Sequence, residues 1–190
     1  MSLSPLIQKL LFIKKFSINK GKIEILENRY SMIDAGSLLA LQDIDQSKMY
    51  QSAKNSSKEN INALVNHAKV YKNIKGQELK NIAELSKKIG ESEKGTINTL
   101  QNIFNIYGLG EMEVTSLKND KKEAVVRIRE SALAVKRLQK GKSKKPICSL
   151  TAGILAGIFS FLFKENVDAY EKECLAKGDD YCVFIIKKSS

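Results

Sequence analysis

The sequence lacks most of the patterns that reveal a function directly. Its 190 residues contain no internal repeat, no phosphate-binding G-x-x-x-x-G-K-[ST] loop and no dinucleotide fingerprint, so neither a solenoid nor a P-loop ATPase is indicated. No catalytic acid/base pair stands out either. Hydrophobic residues make up 43% of the chain and charged residues 28%, which is ordinary for a globular protein able to bury a core without disulfides. One domain of α/β or α+β type is expected.

Cysteine is scarce and odd in number. Three cysteines cannot be paired off within one chain, and no secretory signal with a basic start and a small-residue cleavage site precedes them. A reducing, cytoplasmic location is therefore expected. Histidine occurs once, as His67, beside the apolar stripe of a predicted amphipathic helix. A ligand role for His67 is possible, but a histidine at the boundary of an apolar face is the commoner case.

Charge is the compositional outlier, because lysine and arginine exceed aspartate and glutamate by 11. The densest basic segment is residues 137–145, and no aromatic side chain interrupts it. Stacking of single-stranded bases is therefore not indicated there. A solvated basic surface is the favoured interpretation, and docking onto nucleic acid or another anionic partner is kept as the alternative function.

Residue spacing predicts helices and antiparallel strands. Alternation on both sides of Asn19-Lys20-Gly21 predicts a hairpin with Phe16 and Ile18 on one arm, and residues 111–117 and 122–129 read as two further strands. Arg127 and Arg129 alternate with apolar residues in the second of these strands. They could hold an anionic ligand, although a solvent-facing pair is favoured. Helical patterns cover residues 6–13, 35–42, 45–71, 79–90, 97–107 and 131–139.

Residues 147–163 form the longest apolar run, with 17 residues and no charge. This length is near the lower limit for a membrane-spanning helix, and Gly153 and Gly157 would allow close helix packing in lipid. The run is nevertheless short, lysines border it, and sharply patterned strands follow it. We therefore expect a helix that is buried on most sides in the protein core.

The three cysteines and one glutamate suggest a metal site. Cys148 precedes the apolar helix, Glu171 and Cys174 lie on the first arm of a C-terminal hairpin, and Cys182 lies on the second arm. Three thiolates and a carboxylate can complete a tetrahedral zinc shell. The spacing C-x22-E-x2-C-x7-C is no standard zinc finger. Buried free cysteines, a disulfide across the hairpin and a surface glutamate remain alternatives.

The same residues resemble a known family. The segments I-C-S-L-T-A-G-I-L-A-G, Y-E-K-E-C and G-D-D-Y-C-V-F are similar to the 4-vinyl reductase domain, and the likeness extends over residues 111–187. The resemblance implies an antiparallel sheet with helices packed against it, similar to subunits of the Golgi transport particle and to haem nitric-oxide sensor domains. It also implies a homodimer, and a zinc ion held by Cys148, Glu171, Cys174 and Cys182.

Two features depart from the aromatic-sensing regulators of that family. Their ATPase and DNA-binding modules do not fit in this chain, and the tryptophan of their phenol pocket has no counterpart. We expect an α+β, stand-alone sensor or carrier of an apolar small molecule, with residues 1–110 as a hairpin and helical part and residues 111–188 as a zinc-binding core. The zinc is expected to be structural and the protein not to be an enzyme. An enzyme of tetrapyrrole metabolism is a further alternative, suggested by the family name alone.

Overall fold

The computed structural model describes residues 16–19, 22–25, 28–72 and 93–189. It contains two antiparallel sheets and five α-helices in this part of the chain. The strands are β1 (Phe16–Asn19), β2 (Lys22–Ile25), β3 (Asn28–Tyr30), β4 (Glu111–Lys118), β5 (Glu123–Arg129), β6 (Val167–Glu173) and β7 (Cys182–Lys188). The helices are α1 (Ala35–Ile44), α2 (Gln46–Lys72), α3 (Glu93–Ile106), α4 (Ala132–Leu138) and α5 (Ser149–Phe163).

The chain folds into two compact units. The first comprises Met1–Ile33 and Asn62–Ile106, and the second comprises Asp34–Ile61 and Tyr107–Ser190. Within the first unit, β1, β2 and β3 form an antiparallel sheet in that order, with Phe16 opposite Ile25. The predicted hairpin is therefore present, and β3 adds a strand that the sequence pattern did not predict. The division of one domain at residue 110 stays a prediction.

The second unit is built on a sheet with the strand order β4-β5-β7-β6. Alternation places Val126, Phe184 and Ile186 on its buried face, because successive side chains of a strand point to opposite sides. Helix α5 packs on β6 and β7, and its Leu155 and Ile158 are fully buried. The predicted α+β class with helices against an antiparallel sheet is confirmed.

The apolar run forms a helix of 15 residues. It begins after Cys148 and ends at Lys164, which adopts the left-handed conformation with φ 54°. None of the helices in the described part of the chain combines the length and hydropathy that a membrane crossing requires. The predicted helices at residues 6–13 and 79–90 lie outside the described residues.

Candidate metal centre and adjacent groove

The four residues chosen from the sequence come together in the second unit. One ligand atom from each of Cys148, Glu171, Cys174 and Cys182 lies within 4.8 Å of the corresponding atoms of the others. The three cysteines are buried and unpaired, and Glu171 is half-buried. The sequence therefore located the cluster correctly. Whether these residues bind a metal ion stays a prediction.

Cys174 is positioned by the connection between β6 and β7. It precedes a short 3-10 turn (Leu175–Lys177), and its carbonyl oxygen accepts a hydrogen bond from the Lys177 N–H at 2.8 Å. Gly178 then takes φ 107°, a left-handed conformation that suits glycine. Asp179 Oδ2 accepts a hydrogen bond from the Cys174 N–H at 2.8 Å. These contacts fix the loop that brings Cys174 towards Cys182.

Glu171 and Cys148 are joined directly. The backbone N–H of Cys148, the residue that caps α5, donates to Glu171 Oε2 at 2.8 Å. The register of β6 against β7 shifts between Glu171 and Glu173. Such a bulge redirects side chains near the end of a strand. Cys148 Sγ lies 3.9 Å from Cys182 Sγ, so a disulfide does not join them.

Gln42 holds the segment around Cys148 and was not identified from the sequence. Its side chain is fully buried, its Nε2 donates to the Ile147 carbonyl oxygen, and its Oε1 accepts from the Leu150 N–H at 2.8 Å. These two bonds lie on either side of Cys148 in sequence. The only signal in the sequence was a polar residue on the inward side of an otherwise apolar helix.

The proton affinities of the four groups show how strongly they interact. Burial raises the pKa of Glu171 to about 7. Hydrogen bonds from Cys148 and Cys182 lower the pKa of Cys174, and the hydrogen bond to Cys174 raises the pKa of Cys148. At Cys182 the bond with Cys148 lowers the pKa, but the bond with Cys174 and burial outweigh it. Four acidic groups in one buried site cannot all ionise without a cation.

The donor set fits a divalent metal ion. Glu171 Oε1 is buried and has no hydrogen-bond partner, which is costly unless another group binds it. The Leu175 N–H donates to Cys182 Sγ at 3.4 Å, and Ser131 Oγ lies 3.6 Å from Cys148 Sγ. Such contacts to the sulfur atoms orient metal ligands. Three thiolates and a carboxylate are ligands that zinc accepts.

A groove of about 360 Å³ adjoins the cluster. Helix α2, the start of α5 and strand β6 form its walls, and Cys148 and Glu171 are shared between the groove and the cluster. The sequence did not predict this groove because its walls come from distant segments. The lining residues are Gln46, Ser47, Tyr50, Pro146, Cys148, Ser149, Ala152, Ala169, Tyr170 and Glu171.

The other residues singled out from the sequence do not join the cluster. Arg127 and Arg129 both lie near Glu113 Oε2, at 3.5 and 3.1 Å, so they form ion pairs on the half-exposed side of the sheet. Arg127 also stacks on the Tyr181 ring at 4.7 Å. This agrees with the favoured interpretation of the two arginines. The side chain of His67 is outside the described residues.

Comparisons with known proteins place this fold. Residues 125–188 match the family model of the 4-vinyl reductase (V-4-R) domain. An uncharacterized protein from Methanocaldococcus jannaschii is 37% identical over 82 residues, which cover 40% of this chain and 36% of that protein. The aligned part thus spans little more than a third of that relative.

Two solved structures share the fold. The phenol-responsive sensory domain of the transcription activator PoxR, crystallised with phenol, superposes with a TM-score of 0.63 at 17% identity, covering 98% of this chain and 92% of that one. A vinyl-4-reductase family protein from M. jannaschii gives 0.51 at 20% identity, covering 85% of each chain. At these identities the likeness concerns the fold. Together with the family match, it confirms the resemblance: residues 125–188, which contain all four residues of the cluster, form a 4-vinyl reductase domain.

Proposed function

We propose that this protein is a small-molecule-binding domain, a sensor or a carrier, in which zinc held by Cys148, Glu171, Cys174 and Cys182 stabilises one wall of the binding groove. The observation that carries the proposal is that Cys148 and Glu171 belong to both the cluster and the groove. A change at the cluster must therefore change the shape of the groove. Pro146, Ala152 and Ala169 offer apolar surface to the body of a ligand.

The proposed role of the zinc is structural. Four protein ligands fill a tetrahedral shell, and a catalytic zinc usually keeps one position for water or substrate. When bound, the ion would supply the positive charge that allows the buried thiols and the carboxyl group to be ionised together. It would thereby tie the start of α5 to the β6–β7 connection. The structural neighbour that responds to phenol is consistent with a sensing role, but it does not identify the ligand.

Metal content and thermal stability test this proposal. We expect one zinc per chain by native mass spectrometry of protein from its own source, and a melting temperature about 10 °C lower after chelation. That shift corresponds to a loss of about 3–5 kcal/mol at about 2–4 °C per kcal/mol for a chain of this size. Cys182→Ser should lose the metal, and Ser116→Ala, on β4 away from the cluster, should keep it. Metal-free protein with an unchanged melting temperature would contradict the proposal.

Oligomeric state and location complete the proposed function. The family resemblance implies a homodimer, and the unpaired cysteines suit a reducing cytoplasm. Sedimentation analysis of the zinc-loaded chain would distinguish a dimer from a monomer. A monomer at micromolar concentration would remove the dimer from the proposal without affecting the metal centre.

A further inference from the structure

The groove differs in charge from the rest of the chain. The chain has a net charge of +11, yet none of the described residues that line the groove is lysine, arginine or histidine. Glu171 is the charged residue among them. A ligand in this groove therefore meets an acidic side chain and no basic one.

The proposed metal centre would add to this negative charge. Three thiolates and one carboxylate carry more negative charge than a divalent ion neutralises, so the loaded centre is net negative. Its three cysteines are buried, with exposures of 0–1%, whereas Glu171 is half-buried and faces the groove. The excess negative charge is thus accessible from the groove side, where water is partly excluded and electrostatic interactions are stronger than in bulk solvent.

Lysines near the groove do not cancel this charge. Lys54, one turn beyond Tyr50 on α2, is buried, and its Nζ lies 2.6 Å from Asp168 Oδ1, so it is neutralised by that carboxylate. Lys187 Nζ lies 5.2 Å from the centre of the Tyr170 ring. Lys187 is exposed, and solvent screens its charge.

We propose, building on the proposed function, that the groove takes a small organic cation: a primary amine with a compact apolar body. The ammonium group lies beside Glu171, which accepts a hydrogen bond from it, and the apolar part lies against Ala152 and Ala169. A charge-assisted hydrogen bond of this kind is stronger than one to a neutral hydroxyl. An anionic ligand would be repelled by the same centre.

Three probes with one ring and different charges test the proposal on the full-length, zinc-loaded chain at neutral pH. Benzylamine is a cation, benzyl alcohol is neutral and benzoate is an anion. We expect benzylamine to bind about tenfold more tightly than benzyl alcohol, a difference of about 1.4 kcal/mol, and benzoate to bind most weakly. Added salt should reduce the preference for benzylamine. Isothermal titration calorimetry measures all three affinities.

A second measurement locates the ligand. In protein loaded with Co²⁺ instead of zinc, the methylene protons of bound benzylamine should show faster nuclear relaxation than with zinc, because they lie near a paramagnetic ion. Ala152→Phe should fill the groove and abolish binding while metal content is retained. Ala40→Phe, the same substitution at an exposed helical position, should leave binding unchanged.

The outcomes separate the two proposals. Binding of benzyl alcohol or benzoate as tight as that of benzylamine would overturn the cation assignment and leave a small-molecule groove. Benzylamine relaxation that does not depend on Co²⁺ would overturn it as well, even if Ala152→Phe failed to fold. Failure of all three probes to bind to protein with one zinc per chain would overturn the cation assignment together with the small-molecule function.

Discussion

At the scale of single residues, Asp168 organises the contact between α2 and the edge strand β6. Its Oδ1 accepts hydrogen bonds from Tyr50 at 2.7 Å and from the buried Lys54 at 2.6 Å. The Tyr50 hydroxyl in turn accepts from the Ala169 N–H at 3.1 Å, which satisfies a backbone donor at the free edge of the sheet. A buried lysine is tolerated only with such a partner.

Asp168 should make the stability of the protein depend on pH. Burial tends to raise its pKa, but hydrogen bonds from Lys54, Ser189 and Tyr50 outweigh burial and lower the pKa from 3.8 to about 2. The contribution of a carboxylate with a lowered pKa is present above the unfolded value and is lost as the pH falls through the folded value. In urea denaturation, Asp168→Asn should therefore be less stable than wild type near pH 7, and the gap should close between pH 3.8 and about 2.

A matched control for this pH dependence is Glu123→Gln. Glu123 Oε2 lies 3.9 Å from Lys118 Nζ in an exposed pair, and such pairs contribute about 0–1 kcal/mol. Its effect should be small at every pH. An Asp168→Asn deficit of the same size at pH 7 and at pH 2 would show that the charge of Asp168 does not matter.

At the scale of elements, two glycines decide how α2 and α5 pack. A Cβ at Gly153 would lie 2.8 Å from the Ala53 Cβ and against the Tyr50 carbonyl oxygen. A Cβ at Gly157 would lie 2.8 Å from the Ser57 Cβ and against the Lys54 carbonyl oxygen. The four-residue spacing of the glycines thus serves close contact between two helices of one unit, which also sets the width of the groove beside Tyr50.

Gly153→Ala and Gly157→Ala should each destabilise the protein. Overpacking against backbone atoms costs about 1–3 kcal/mol and exceeds the gain of up to about 1 kcal/mol in helix propensity. Thermal denaturation should show a lower melting temperature for both. Gly36→Ala is the matched control, because a Cβ there meets only the ends of the Asp34 and Lys136 side chains, at 2.9 and 3.1 Å. An equal effect at Gly36 would show that close packing is not the cause.

At the scale of the whole molecule, the cluster lies entirely within the second unit. Its residues come from the cap of α5, from β6, from the β6–β7 connection and from β7. These segments are distant in sequence, and a metal ion would crosslink them. The sheet of β1, β2 and β3 contributes none of the four residues. Loss of metal should therefore loosen specific segments rather than the whole chain.

Hydrogen exchange with and without chelator tests this expectation. Exchange should increase by about tenfold or more around Cys148, Leu175 and Cys182, because each opening there loses at least about 1.4 kcal/mol of stabilisation. Exchange in β1 and β2 should remain unchanged. The Cys182→Ser variant should show the apo pattern even before chelation. A uniform increase over both units would indicate global destabilisation and argue against a local clasp.

Much of the architecture followed from residue patterns. Alternation predicted β1, β2, β4, β5 and the C-terminal hairpin, and helical spacing predicted α1 to α5, because each of these elements has its own apolar face. The sequence missed β3, a strand of three residues. It also missed the bulge between Glu171 and Glu173, since a strict alternation has no place for an extra residue.

The sequence by itself determined the identity of the cluster, because chemically distinctive residues at family-specific spacing need no knowledge of the fold. Cys148, Glu171, Cys174 and Cys182 were all chosen in this way. The tertiary structure alone decided what surrounds them. Gln42 clamps a segment more than 100 residues away, and the groove combines α2, α5 and β6. These features depend on the packing of segments far apart in sequence, which no local pattern records.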